Sequence, residues 1–136
     1  MSKAFLDTNI LLYALTVSNK AKQRKARVLL RRLAEHSTPV ISTQVLQEFY
    51  VASTTKLGVE PLVAKSLLRS FENMETVQVD PGMIREAVDI SILNRISFWD
   101  SLIVAAAESA RCEFLYTEDL NAGQIIRGVR IENPFI

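Results

Sequence analysis

Four carboxylates in this chain, Asp7, Glu48, Asp100 and Asp119, carry the types and positions that a divalent-cation chemistry requires. Each adjoins the end of a short apolar run or the start of a helical pattern, although as many as 112 positions separate them. Like charges brought together are costly unless a cation neutralises them. An all-oxygen set suits the hard ions Mg²⁺ or Mn²⁺. His36 and Cys112 are the chain's single His and single Cys, so no nitrogen–thiolate set competes for zinc. Taken one at a time, each acid also has an ordinary structural reading. Asp7 could cap the helix that follows it. Ser97-x-x-Asp100 matches a capping box, and Asp100 would favour a helix N-terminus electrostatically. Asp119 could belong to a turn with Asn121 and Gly123. Glu48 borders an apolar helical face (Gln44, Val45, Val51, Ala52) and has no cationic i±3 or i±4 partner.

The elements that must position these acids follow from periodicity and punctuation. Ala4-Phe5-Leu6 reads as a buried strand, then a helix over Ile10–Leu15 capped by Thr8 or Asn9. Lys20–Glu35 is helical, with Ala26, Leu29, Leu30 and Leu33 on its apolar side. Pro39–Ser42 is a second strand, and a helix from about Thr43 to Leu57 stops at Gly58. Pro61 opens a helix through about Met74, and Thr76–Val79 alternates like a half-buried strand. Asp80-Pro81 starts a helix through about Asn94, and Ser97 begins the helix Phe98–Arg111. Phe114–Tyr116 is a fourth strand and Val129–Ile131 a candidate fifth. Strands alternating with helices predict an α/β fold: a three-layer α/β/α sandwich around a mostly parallel sheet of four to five strands. In such sheets functional groups gather beyond the carboxyl ends of the strands, which is where all four acids fall.

Composition narrows the class. With 136 residues, 49% apolar and 23% charged, the chain is sized and balanced for one domain with a real core. The longest apolar runs, Ile10–Leu15 and Leu102–Ala107, are six residues each, against about twenty for a membrane span. A lone cysteine forbids an internal disulfide, and the N-terminus lacks a signal-peptide pattern. A reducing, cytoplasmic setting away from any membrane is the expectation.

Asp7-Thr8-Asn9 after a short strand, Glu48 on the helix after Val40-Ile41-Ser42, the segment Ser97-Phe98-Trp99-Asp100-Ser101 running into apolar Leu102–Ala107, and Tyr116-Thr117-Glu118-Asp119-Leu120 together resemble the four acidic motifs of the PIN-domain family. The resemblance covers the whole chain in order, and a compact chain of this kind looks most like the VapC-type toxins of toxin–antitoxin pairs. It implies a Mg²⁺- or Mn²⁺-dependent endoribonuclease, dimeric, silenced by a cognate antitoxin, leaving 5′-phosphate and 3′-hydroxyl ends. By position it implies that Asp7, Asp100 and Asp119 ligate metal, with Glu48 as a further ligand or acting through a bound water. Thr8 and Asn9 would position Asp7, and Thr117 would shape the loop after the fourth strand. Glu118 stands beside Asp119; the family pattern selects Asp119.

Between Lys20 and Arg32 lie seven cations and no acid. Lys20, Arg24, Arg27 and Arg31 follow helical 4-3-4 spacing and line one face, as a surface that tracks RNA phosphates would; a solvated face with snorkelling stems is the alternative. Trp99 could stack a base, or pack beside Phe98. Leu67, Leu68 and Phe71 read as core or as a partner groove. Two other function classes use similar parts. Aspartyl-phosphate phosphatases need an acid where Asn9 stands and a lysine near the later acids. A PIN nuclease of RNA processing without an antitoxin, or a non-catalytic PIN-fold module that binds RNA or protein, shares the fold without the toxin role.

Overall fold

Period-two and all-apolar runs place four residues of this chain at the centre of one sheet: Phe5, Ile41, Leu115 and Ile131 are all fully buried, each worth about 1.5–3 kcal/mol of transfer free energy. The computed structural model describes residues 2–136. The strands are β1 (Lys3–Leu6), β2 (Thr38–Ser42), β3 (Glu75–Val77), β4 (Phe114–Tyr116), β5 (Ile125–Ile126) and β6 (Val129–Glu132). The helices are α1 (Thr8–Tyr13), α2 (Lys20–His36), α3 (Thr43–Thr55), α4 (Pro61–Phe71), α5 (Pro81–Asn94) and α6 (Phe98–Ser109). The sheet order is β3-β2-β1-β4-β6-β5. Every neighbouring pair is parallel except β5 with β6. The expected α/β sandwich is the observed one.

The sheet has six strands, where the sequence predicted four to five. The extra strand is β5, which pairs Ile126 with Val129 across Arg127-Gly128. Both turn residues have positive φ, 52° and 79°, as a two-residue hairpin turn requires. Arg-Gly carries that signal far less visibly than Asn-Gly, because a non-glycine residue seldom adopts positive φ.

Helix boundaries agree with the sequence to within a few residues, and the differences are informative. The first helix begins at Thr8, earlier than Ile10, because Asp7 itself is the cap. Four others start on side-chain caps: Asn19 for α2, Ser42 for α3, Asp80 for α5 and Ser97 for α6 each accept a backbone N–H, while α4 opens on Pro61 with no side-chain cap. In α6, seven consecutive residues from Ser101 to Ala107 are buried. A helix apolar on all sides belongs in a core, and this one fixes the depth at which Asp100 emerges. Phe49 of α3 and Phe71 of α4 meet edge-to-face at 4.8 Å, so Phe71, with Leu67 and Leu68, packs against the core. Among the described residues, no single helix is long and apolar enough to cross a membrane.

Candidate metal centre

Because β2, β1 and β4 are adjacent and parallel, whatever follows each of them lies along one edge of the sheet. Asp7 follows β1, Thr117 to Asp119 follow β4, and α3 leaves β2 directly with Gln44 and Glu48 in its first two turns. α6 enters the same region at its N-terminus with Asp100 in the first turn. Asp7, Asp100 and Asp119 each bring a carboxylate oxygen to within 4.8 Å of the others. Glu48 lines the same cavity of about 180 Å³, together with Asn9, Gln44 and Trp99, but is not part of the close group of three.

A chain of hydrogen bonds fixes the acids. Asp7 accepts the Thr8 backbone N–H at 2.7 Å and the Thr117 hydroxyl at 2.7 Å. The Thr117 hydroxyl also accepts the Asp119 backbone N–H at 3.1 Å, tying two of the acids through one side chain. Asn9 donates to Asp119 at 3.1 Å. Both oxygens of Glu48 are held: the Thr8 hydroxyl donates to one at 2.7 Å, and the Gln44 amide to the other at 3.1 Å. That amide also reaches the Trp99 carbonyl at 3.2 Å, linking α3 to α6. The support is therefore shared out differently from the expected scheme. Thr8 orients Asp7 through its backbone and Glu48 through its hydroxyl, Asn9 serves Asp119, and Thr117 holds Asp7. Gln44 is a site residue that sequence reasoning missed; it was read only as a neighbour of Glu48, although Gln44 and Glu48 one turn apart are a known helical hydrogen-bonding spacing.

Electrostatics mark the cluster as short of positive charge. Burial, reinforced by the charges of Asp119 and Glu48, overcomes the hydrogen bonds from Thr117 and Thr8 and pushes Asp7 up to about 7. Burial and the Asp100 charge raise Asp119 as well. Two buried oxygens, Asn9 Oδ1 and Gln44 Oε1, find no donor, and both residues line this cavity. Clustered acids with raised pKa values beside unpaired acceptors fit a hydrated hard cation, whose waters donate hydrogen bonds outward.

The neighbouring Glu118 is turned elsewhere. It pairs with the Lys22 ammonium and accepts the Tyr13 hydroxyl at 2.6 Å. Burial works against its charge, but those two bonds outweigh it and hold Glu118 below the usual carboxylate range. Of the two neighbours, Asp119 is the one whose carboxylate lies with those of Asp7 and Asp100. Trp99 is 63% exposed and edge-on to Phe98 at 5.1 Å, so it is a rim residue, outside the core. Along α2, Lys20, Arg24, Arg27 and Arg31 are exposed. They do not share one environment: Arg27 donates to the Ala14 carbonyl at 2.8 Å, whereas Arg24 lines a cavity.

A profile of the PIN domain matches residues 4–126. A search of the curated proteins finds no match. Among solved structures, the chain is similar to a chain of VapBC2 from Rickettsia felis bound to a promoter DNA fragment, at 22% identity and a TM-score of 0.68, covering 96% of this chain and 98% of that one. It is similar to a chain of DNA-bound VapBC from Salmonella typhimurium at 21% identity and a TM-score of 0.69, covering 98% and 99%. It also resembles VapC20 of Mycobacterium tuberculosis, a toxin that cleaves the sarcin–ricin loop, at 20% identity and a TM-score of 0.68, covering 93% and 98%. At these identities the solved structures speak for the fold, and the profile match across nearly the whole chain speaks for the family: this chain belongs to the PIN-domain family.

Proposed function

We propose that this protein is a divalent-metal-dependent endoribonuclease and the toxin of a toxin–antitoxin pair, working in the cytoplasm. The observation that carries the nuclease reading is the convergence of Asp7, Asp100 and Asp119 oxygens within 4.8 Å of one another, in a cleft that also holds Glu48. Asp7, Asp100 and Asp119 would hold Mg²⁺ or Mn²⁺ directly. Glu48, with both oxygens engaged by Thr8 and Gln44, is placed to orient a water. Bound there, the cation supplies an activated water and balances the charge of the phosphate under attack. The protein's own share is orientation. The Asp7–Thr117–Asp119 relay fixes two ligands, and the Gln44 bridge to the Trp99 carbonyl fixes the approach of α6 to α3.

The toxin reading rests on likeness to chains solved in toxin–antitoxin complexes and on apolar surface that calls for partners. Ile84, Val88 and Ile92 form an exposed row on α5, at the i, i+4, i+8 spacing of one helical face, and fit a second copy of this chain. Leu62 and Val63, exposed in the first turn of α4, offer a separate apolar surface for an antitoxin segment. The deciding experiment is induction of the protein with and without its adjacent gene, with sequencing of the RNA ends that appear. New 5′-phosphate ends and growth arrest, both lost in Asp100→Asn and the arrest relieved by the neighbouring gene, are the expected result. Undiminished cleavage by Asp100→Asn would refute the metal-site assignment.

A further inference from the structure

Beside the helical face expected to track phosphate, and sharing Arg24 with it, α2 and the ends of β4 and β6 enclose a cavity of about 360 Å³. Its volume lies at the lower end of the roughly 300–1,000 Å³ of small-molecule sites. We propose that it holds one nucleotide of the RNA strand, with phosphates against Arg24, Lys25 and Arg32 and the base against Tyr116. The inference rests on the nuclease reading for its ligand class, and on the cavity for its place.

Charge is the first argument. Lys3, Lys22 and Arg127 each have a carboxylate partner. Among the described residues, Arg24, Lys25 and Arg32 have no carboxylate within ion-pair distance, yet all three line this one concavity, against the single acid Glu132. Three cations gathered around a hollow make a positive potential that suits a polyanion. Arg24 and Arg32 stand eight residues apart on one face of α2, about 12 Å along the axis, so they meet different phosphates of a strand. Val28 lies between them and is 52% exposed, an apolar floor where a ribose or base can lie.

The second argument is the rest of the lining. Arg32 donates to the Tyr116 hydroxyl at 3.4 Å, and Tyr116 offers a ring of the kind on which single-stranded bases stack. Glu132 and Asn133 add an acceptor and an amide, the groups that read a base edge. An acidic peptide would engage the cations alone and be opposed by Glu132; a nucleotide uses every wall. The third argument is location. Leu6, Tyr116 and Glu132 pair in one row of the sheet, and the next residues on two of those strands are Asp7 and Thr117, bonded to each other at 2.7 Å. A strand anchored in the cavity is thus held at the same sheet edge as the acids.

The test is binding of a fluorescein-labelled, mixed-sequence 12-nucleotide single-stranded RNA in EDTA, by anisotropy over a range of KCl. The paired variant Arg24→Gln/Arg32→Gln should lower the salt slope by about 1.4, at ~0.7 per lost phosphate contact on a single strand. Tyr116→Leu should weaken binding about five- to a hundredfold with its slope kept. Lys65→Gln/Arg69→Gln, exposed cations of α4 outside the cavity, should leave both unchanged. The inference is overturned if the Arg24/Arg32 pair retains the wild-type slope and affinity. It is equally overturned if a poly-glutamate peptide, and not RNA, depends on that pair. Cleavage with Mg²⁺ is scored separately. Wild-type cleavage with cavity-independent binding sinks this inference alone, whereas cavity-dependent binding with no cleavage sinks the nuclease reading alone. Wild-type protein that binds no RNA removes both.

Discussion

Asp7→Asn should stabilise the metal-free protein at neutral and alkaline pH while destroying its response to metal. Asp7 is 6% exposed and its pKa rises from 3.8 to about 7. In the unfolded chain it ionises near its ordinary value, so between about pH 4 and pH 7 the folded state holds a proton that the unfolded state has released. Stability therefore falls as pH rises through that window, by about 1.4 kcal/mol per unit, or on the order of 4 kcal/mol in all. Asparagine has no charge to bury. It keeps an acceptor for the Thr8 N–H and an amide for Thr117, at a cost of about 1 kcal/mol for weakened hydrogen bonds. The net expectation is a gain of roughly 2–3 kcal/mol at pH 8 and little or no gain at pH 4. Urea unfolding in EDTA at several pH values reads this directly, as a midpoint shift of about 1–2 M at pH 8 for a typical small-domain slope. A residual slope of the same sign should persist in the variant, because Asp119 is also raised. Mg²⁺ should stabilise the wild type by mass action and the variant far less. Parallel pH profiles for the two proteins, or an Asp7→Asn protein weaker than wild type at pH 8, would refute the reasoning.

Further outcomes follow from the same contacts. Removing both supports of Glu48, as Thr8→Val with Gln44→Leu, should lower kcat more than it changes metal affinity; the metal titration can be read by fluorescence of Trp99, the only tryptophan and a lining residue of the cleft. Lys22→Met removes the ammonium that lies over the Tyr13 and Phe135 rings and leaves Glu118 without its cation. Because Glu118 is held below its ordinary range, the wild-type advantage should be present above about pH 5 and fade as pH falls below the ordinary carboxylate value, measured by urea midpoints across that range. Cys112 is 5% exposed and burial pushes its thiol up to about 12, so iodoacetamide at pH 8 should label it only after unfolding, as scored by intact mass.

Much of the fold was legible because its signals are local. Six of the seven consecutive buried residues in α6 can be read from the apolar run Leu102–Ala107 alone, and Pro61 and Asp80-Pro81 mark helix starts by backbone restriction. β5 escaped because Arg127 adopts a conformation its type seldom takes. At the site, residue types announced the acids, but not which support serves which acid. Thr8 and Asn9 are adjacent in sequence, yet they reach Glu48 and Asp119, 40 and 110 residues away. The cavity beside α2 was illegible for a related reason. Helical spacing groups Arg24 with Arg27 and Arg31, while the fold groups it with Lys25, Arg32 and Tyr116, since a cavity is shaped by what lies opposite a helix.

The structural and chemical readings of the acids turn out to be compatible. Asp7 does cap α1 through the Thr8 N–H, and the Asp100 backbone N–H is capped by Ser97. With α3 starting at Ser42, three helix N-termini lie at the sheet edge that carries the cluster. Each presents the positive end of its dipole and unpaired N–H groups. Those termini give the carboxylates partial compensation before any cation arrives, so an apo protein can tolerate them at all. The compensation is incomplete, as the raised Asp7 and Asp119 and the two donor-less oxygens of Asn9 and Gln44 show. An arrangement of this kind leaves the site short of positive charge. Folding sets the positions of the acids through capping, and the deficit that capping leaves is what a divalent cation can fill.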